Sequence, residues 1–371
     1  MARHYLDHAS TSPARPAVVD AMVPWMVGER AGDPGRVHTE GRMARAALEA
    51  AREQVAALLS ARPREVVFTS GATEAINAAT WGAAAARPGG GVVCAAVEHS
   101  AVRDAADRHR LLDAPVDAYG RVDVERLAGL LGGDIALVHC QWGNHEVGTL
   151  QPVEEVVAAG HAAGVLVHVD AAQAAGHVPV HFGELGADLM SVSAHKLGGP
   201  KGAGALLVRR GLRLPPLLVG GDQERARRAG MENVPALVGF GAACESLDLP
   251  AEAAVARGQT ERMLAAAEGL DDVVAYGDTQ RRLPHIVCLG VGGVEAEAVL
   301  LGLDQAGIAA HSGSACSSES LEPSPVLAAM GVKAERSLRL SVGWSTVDAD
   351  VEAFVAALPR VIQRLRSLAG A

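Results

Sequence analysis

The densest concentration of reactive side chains in this 371-residue chain is Ser191-Val192-Ser193-Ala194-His195-Lys196-Leu197-Gly198-Gly199-Pro200-Lys201-Gly202. An apolar run leads into it and a Gly-Pro turn leaves it, which puts Lys196 at a strand end among small neighbours. A lysine partly desolvated there has a lowered pKa and a free amine that can form a Schiff base. A solvated surface loop is the plainer reading of the segment taken alone. Twenty-six residues upstream, His168-Val169-Asp170-Ala171-Ala172-Gln173 brings a carboxylate to the end of another apolar run, where Asp170 serves chemistry or caps a helix. A third run ends in Thr69-Ser70-Gly71-Ala72-Thr73-Glu74, where free N–H groups at a helix start would seat a phosphate, or Ser70 or Thr73 would simply cap it. A fourth leads to Glu98-His99-Ser100, whose imidazole could stack on a ring, shuttle a proton or be structural.

Each feature has an ordinary explanation, but the set of an amine, a carboxylate, a phosphate seat and an imidazole is what pyridoxal 5'-phosphate requires. The lysine holds its aldehyde, the acid keeps its pyridine nitrogen protonated and the helix start takes its phosphate. Two later segments add to the set. Cys316 lies in Ser312-Gly313-Ser314-Ala315-Cys316-Ser317-Ser318, small polar neighbours that suit an exposed, travelling nucleophile or an incidental surface thiol. Arg336-Ser337-Leu338-Arg339-Leu340-Ser341 alternates, so Arg339 faces away from its two leucines and could grip a carboxylate through two hydrogen bonds.

These groups meet only if the fold gathers strand ends at one edge. Short β-branched runs at Val66 to Thr69, Val92 to Ala95, Ile135 to Cys140, Val165 to Val169, Leu189 to Ser193 and Ala205 to Val208 predict a largely parallel sheet. Helical stretches are expected at Thr73 to Ala86, Val102 to Arg110, Val124 to Leu131 and Val153 to Ala163. After Leu249-Pro250 come a long Ala-rich helix, sparser strands near His285 to Leu289 and Ser337 to Val342, and a last helix from Ala349 to Leu368. The expected class is α/β: a large cofactor-binding domain over residues 14–250 and a small α+β domain from 1–13 and 251–371, with the site in the crevice between them.

Composition narrows the function. Apolar residues are 49% and charged residues 20%, ordinary for a globular protein. A net charge of −10 and only 3% aromatics argue against nucleic acid as a direct ligand. No apolar run is long enough to span a bilayer and the first residues lack a signal-peptide stretch, so no membrane association and a cytoplasmic location are expected. Five scattered cysteines (Cys94, Cys140, Cys244, Cys288, Cys316) make neither a disulfide framework nor a metal site, and all but Cys316 have core-like surroundings.

On these residues the chain resembles the NifS/IscS-like cysteine desulfurases, class-V aminotransferases of pyridoxal-phosphate fold type I. The likeness runs from Tyr5-Leu6-Asp7-His8-Ala9-Ser10-Thr11 through Val37-His38-Thr39-Glu40-Gly41 and Gly71-Ala72-Thr73-Glu74 to Ser314-Ala315-Cys316 and Leu338-Arg339-Leu340-Ser341. The resemblance implies that Lys196 carries the cofactor, Asp170 pairs with its ring nitrogen, Gln173 meets its ring hydroxyl and His99 stacks on the ring. It further implies phosphate contacts from Thr73, Ser193 and His195, a cofactor contact from Ala72, a cofactor or substrate contact from Asn144, the substrate carboxylate on Arg339 and a persulfide on Cys316. L-cysteine would become L-alanine, with His99 as the base for the thiol, and the sulfur would pass to an acceptor protein, as in iron–sulfur cluster assembly, transfer-RNA thiolation, DNA sulfur modification or thio-cofactor synthesis. A homodimer is implied, with residues around Gly221 to Asn233 crossing to the partner. Two departures stand out: Asn144-His145-Glu146 where the family commonly has Asn-Asn-Glu, and Arg228-Ala229-Gly230-Met231 where it has Arg-Ser-Gly-Thr, the Thr reaching a phosphate. Another pyridoxal-phosphate lyase or transaminase, a selenocysteine lyase, or a non-enzymatic sulfur relay are the rival readings.

Overall fold

The computed structural model describes residues 3–27, 30, 32–312, 324–333 and 336–369. Strand β1 (His4–Tyr5) precedes helices α1 (Pro16–Met26) and α2 (Thr39–Leu58). Strands and helices then alternate through β2 (Val66–Thr69), α3 (Ala72–Ala86), β3 (Gly91–Ala95), α4 (Ser100–Asp107), β4 (Leu111–Ala114), α5 (Val124–Ala128) and β5 (Ile135–Gln141). The alternation continues with α6 (Val153–Ala162), β6 (Leu166–Asp170), α7 (Phe182–Leu185), β7 (Leu189–Ser193) and β8 (Gly204–Val208). Next come the short turn α8 (Gln223–Ala226), α9 (Val234–Glu245), α10 (Leu249–Glu268), β9 (Val273–Tyr276) and β10 (Ile286–Val291). The remaining elements are α11 (Ala296–Gln305), β11 (Ile308–Ala309), α12 (Pro325–Ala329), β12 (Ser337–Ser341) and α13 (Asp348–Ala369).

The large sheet has seven strands in the order β2-β8-β7-β6-β5-β3-β4. Strands β3 to β7 pair in parallel, while β8 runs antiparallel to both β7 and β2. Its inner strands are covered on both faces, which is why they read as continuous apolar runs rather than alternating ones. On one face Ile76, Ala79 and Ala83 of α3 and Val102 and Ala106 of α4 pack on Val92, Leu137 and Leu189. On the other, Leu48 and Val55 of α2, Val156 of α6 and Phe240 of α9 pack on Val93, Val138, Val167 and Met190. Alanine is the contact residue along α3, so that helix lies close to the sheet and its first turn meets the strand ends.

A second sheet, β12-β10-β9, is antiparallel. With α10, α11 and α13 it encloses its own core, including Met263, Leu289, Val299, Leu338, Leu340 and Phe354. Leu6 belongs to that core, because β1 pairs in parallel with β11 and Asp7 bridges to Ser341. Cys94, Cys140, Cys244 and Cys288 are free thiols in buried positions, and Cys316 lies outside the described residues. Among the described residues no helix is long and apolar enough to cross a membrane.

The expected strands of the large sheet all form, each within a residue or two of its expected limits. Strands β4 and β9, of four residues each, carry no strong pattern and were not expected. Helix α4 begins at Ser100 rather than Val102, since the His99 side chain caps it.

Candidate active site

A cleft of about 520 Å³ opens where β3, β5, β6 and β7 end beside the start of α3, and residues 9–11 and Arg339 of β12 close its other side. Strand β7 turns at its end into a single tight helical turn over Ala194–Leu197, stopped by Gly198 at φ +81°. A Cβ at Gly198 would come within 2.8 Å of the Arg15 side chain and 2.9 Å of the Trp344 ring, so the turn is pressed against both. The turn directs Lys196 inward, where Nζ donates to the carbonyls of Ala9 and of Ser10, the latter at 3.0 Å. Burial, with the nearby Arg339 charge, lowers the Lys196 pKa to about 8. Lys201, the rival lysine of the segment, lines the same cleft but is exposed.

Asp170 ends β6, one strand over. Its Oδ1 accepts the Ser191 hydroxyl at 2.8 Å and the Ala172 N–H at 3.1 Å, which fixes a buried carboxylate in the cleft wall. Gln173 donates to the Ala9 carbonyl at 2.8 Å, so Ala9 ties both Lys196 and Gln173 to the N-terminal segment.

The start of α3 has no side-chain cap; its N-cap residue is Gly71. The backbone there is approached very closely by β8: a Cβ on Gly204 would stand 2.6 Å from the Gly71 Cα. The first N–H groups of this 15-residue helix thus face the cleft beside Ser70, Thr73, Ser193 and His195, an anion seat by geometry and dipole. His195 contacts Thr11 Oγ1 through Nδ1 at 3.1 Å, and burial, reinforced by Lys196, lowers its pKa to about 4.

His99 lines the opposite wall. Its Nδ1 accepts the Ala101 N–H at 3.0 Å as the cap of α4, which leaves the neutral ring carrying its proton on Nε2. Burial, aided by His145, holds its pKa down at about 4. The two rings meet edge to face with centroids 5.0 Å apart. Asn144 is fully buried beside them but is not in the cleft wall: its amide donates to the Val97 carbonyl at 3.1 Å and its oxygen accepts the N–H groups of Glu146 and Val147 at 2.8 Å. The side chain that this turn delivers to the cleft is His145.

Arg339 reaches in from β12, whose leucines face the small core as the alternation anticipates. Nη1 donates to the His145 carbonyl at 2.9 Å, and Nη2 to Asp7 at 3.0 Å and Ser10 Oγ at 2.7 Å. Its Nε is buried with no hydrogen-bond partner among the described residues.

Lys196, Asp170, Gln173, His99, Ala72, Thr73, Ser193, His195 and Arg339 therefore share one cleft; Asn144 lies behind it and Cys316 is outside the described residues. Sequence reasoning missed Asp7, Gln141, His145 and His311 as neighbours of the site; the substitution at 145 was visible, but not that this residue faces inward. The donor set fits pyridoxal phosphate, since a neutral-prone amine, a fixed carboxylate and an uncapped helix start surround one space.

Residues 4–354 match the aminotransferase class-V family. A cysteine desulfurase, IscS 1, of Archaeoglobus fulgidus is 40% identical, with 98% of each chain covered. Among solved structures, a NifS-like protein superposes with a TM-score of 0.91 at 30% identity, covering 98% of this chain and 100% of that one. A protein described as SspA in complex with cysteine gives a TM-score of 0.81 at 28% identity, covering 93% of this chain and 100% of that one.

Proposed function

Because this chain belongs to the class-V aminotransferase family, within the NifS/IscS-like cysteine desulfurases, we infer that it converts L-cysteine to L-alanine and takes the sulfur onto Cys316 for delivery to an acceptor protein. It is a pyridoxal-phosphate-dependent enzyme. The single observation that carries the reading is the convergence of Lys196, Asp170 and the uncapped start of α3 on one cleft that also holds Arg339.

Lys196 would hold the cofactor through its aldehyde and, with its amine free, would move the proton at the substrate Cα. Asp170, anchored by Ser191, would keep the ring nitrogen protonated, Gln173 would meet the ring hydroxyl and His99 would cover the ring face. Thr73, Ser193, His195 and the first α3 amides, that of Ala72 included, would take the phosphate. The bound cofactor supplies an electron sink for the pair left when the Cα–H bond breaks. Arg339 orients the substrate carboxylate.

We read residues 14–250 as the cofactor-binding domain and 1–13 with 251–371 as the small domain that carries the cysteine loop; the separate core around Leu289 and Phe354 supports this division. The active unit is a homodimer in the cytoplasm. Exposed Val19, Val23 and Met26 on α1, with exposed Leu218, Val219 and Met231, support a covered apolar face. The test is to incubate the yellow holoenzyme with cysteine and a reductant, where alanine and sulfide should appear in equal amounts. Cys316→Ala should keep its colour, bind cysteine and release no sulfide. Alanine formation by that variant at the parent rate would remove Cys316 as acceptor, and a colourless protein that still relays sulfur would remove the enzyme.

A further inference from the structure

A carboxylate lines the seat assigned to a phosphate. Glu74, the third residue of α3, is in the cleft wall with Ser70, Thr73, Ser193 and His195, and its side chain is only 14% exposed. Solvent screens its charge weakly at that depth, so a bare carboxylate there repels a phosphate. It also competes with one. The first bond along the helix backbone runs from the Ala75 N–H to the Gly71 carbonyl, which leaves the N–H groups of Ala72, Thr73 and Glu74 without a partner inside the helix. Any anion within reach is drawn to them.

Two partners hold Glu74 away from those groups. Its Oε2 accepts the Ser70 N–H at 2.9 Å, on the strand side of the turn. Arg228 takes both oxygens: Nε donates to Oε1 at 2.9 Å and Nη2 to Oε2 at 3.2 Å. Burial works against ionisation of Glu74, but the hydrogen bonds from Arg228 and Ser70 outweigh it and keep its pKa below the usual carboxylate value. The pair is therefore ionic at neutral pH.

Arg228 arrives already anchored. The segment before it is fastened to β2 and its flank, where Glu224 accepts the Phe68 N–H at 2.8 Å and Arg227 Nη2 donates to the Arg64 carbonyl at 2.8 Å. Gln223 Oε1 accepts the Gly230 N–H at 3.2 Å, closing a loop that contains Arg228. Arg228 is not among the described residues that wall the cleft, whereas Glu74 is. Its influence on a bound anion passes through that carboxylate.

We propose that Arg228 is a positioning residue for the cofactor's phosphate: its fork fixes Glu74 on the Ser70 N–H, leaves the first α3 amides to the phosphate and cancels the carboxylate charge beside them. The inference rests on the assignment of the α3 start as the phosphate seat. An arginine with this role is dispensable once the carboxylate it restrains is neutral.

Pyridoxal phosphate and pyridoxal, which lacks the phosphate, separate this role from general damage to the fold. Each is titrated into the full-length apoenzyme, and the ratio of the two dissociation constants isolates what the phosphate contributes. Arg228→Gln should lower the preference for the phosphorylated aldehyde on the order of tenfold and leave pyridoxal affinity unchanged. Adding Glu74→Gln to that variant should restore the preference to within about threefold of the parent, because the amide is uncharged and its oxygen still accepts the Ser70 N–H. Thr73→Ala reports the seat itself and should lower the preference with or without Arg228. If Thr73→Ala lowers it and Arg228→Gln does not, the role of Arg228 is overturned and the seat stands. A double variant no better than Arg228→Gln alone also overturns the role, since an arginine that touched the phosphate directly or merely braced the fold would not be repaired by removing the Glu74 charge. A parent that binds both aldehydes equally tightly overturns the phosphate seat, and this inference with it.

Discussion

Arg339 Nη2 lies 3.0 Å from Asp7 Oδ1, so a guanidinium from the last strand is oriented by a carboxylate from the first seven residues. Ser10 shares the same nitrogen and itself donates to Asp7 at 2.9 Å. The guanidinium is thus preorganised, not drawn from solvent on binding. Arg339→Ala should raise the KM for cysteine about ten- to a hundredfold, since a hydrogen bond between charged groups is worth roughly 1.5 to 3 kcal/mol. Cofactor content, measured by absorbance, should be unchanged. An unaltered KM would take Arg339 out of the site.

The depressed pKa of Lys196 sets how the apoenzyme takes up cofactor. Only the neutral amine attacks an aldehyde, and the neutral fraction grows roughly tenfold per pH unit until the pKa of about 8 is reached. The rate of colour development with pyridoxal phosphate should climb accordingly from pH 6 to 8 and then level. Borohydride should fix the label on the peptide containing Lys196. A label on Lys201, or a rate still rising steeply above pH 9, contradicts the assignment.

Stability should depend on one buried ion pair. Arg52 of α2 and Glu224 meet through two contacts of 2.7 Å, with both side chains 2% exposed. Glu224 also accepts the Phe68 N–H at 2.8 Å, and Glu224, Arg225 and Ala226 all have left-handed backbone, which non-glycine residues adopt at a cost. Arg52→Ala strands the carboxylate and should cost about 3 to 5 kcal/mol in urea unfolding. A loss under 1 kcal/mol would show that the turn does not need its anchor.

Met231, 68% exposed, is where a phosphate-reaching threonine is common in the resembling family. A thioether is a weak acceptor and no donor. If the segment around it crosses to a partner subunit, Met231→Thr should slow cofactor loss on dilution, by about ten- to a hundredfold for one added hydrogen bond to a charged group. Colour loss as fast as in the parent, with the dimer intact by sedimentation, would show that position 231 does not reach the phosphate.

How much of this was legible in the sequence depended on range. Strand ends were readable because the strands are buried on both faces and stand out as unbroken apolar runs, and with them came Lys196, Asp170 and His99. The choice between Asn144 and His145 was not. It turns on which residue of one tight turn points inward, and Asn144 is drawn back by the amides of Glu146 and Val147. The contacts of Ala9 and Asp7 were equally hidden, since no local pattern announces that residues 9 and 196, or 7 and 339, will touch. Helix α4 was misjudged at its start because imidazole is an uncommon cap.

The pairing of β1 with β11 also orders events during synthesis. His4 and Tyr5 have their partners at Ile308 and Ala309, and Lys196 finds the carbonyls of Ala9 and Ser10 only once that N-terminal segment is docked. At roughly 5 to 20 residues per second, the ribosome needs on the order of tens of seconds to deliver the second member of that pair. Throughout that interval the growing chain carries β1 without its partner strand and an apolar Leu6 without the core it will enter. The side of the cleft that Ala9 and Ser10 supply is therefore completed only after Ile308 and Ala309 have been made.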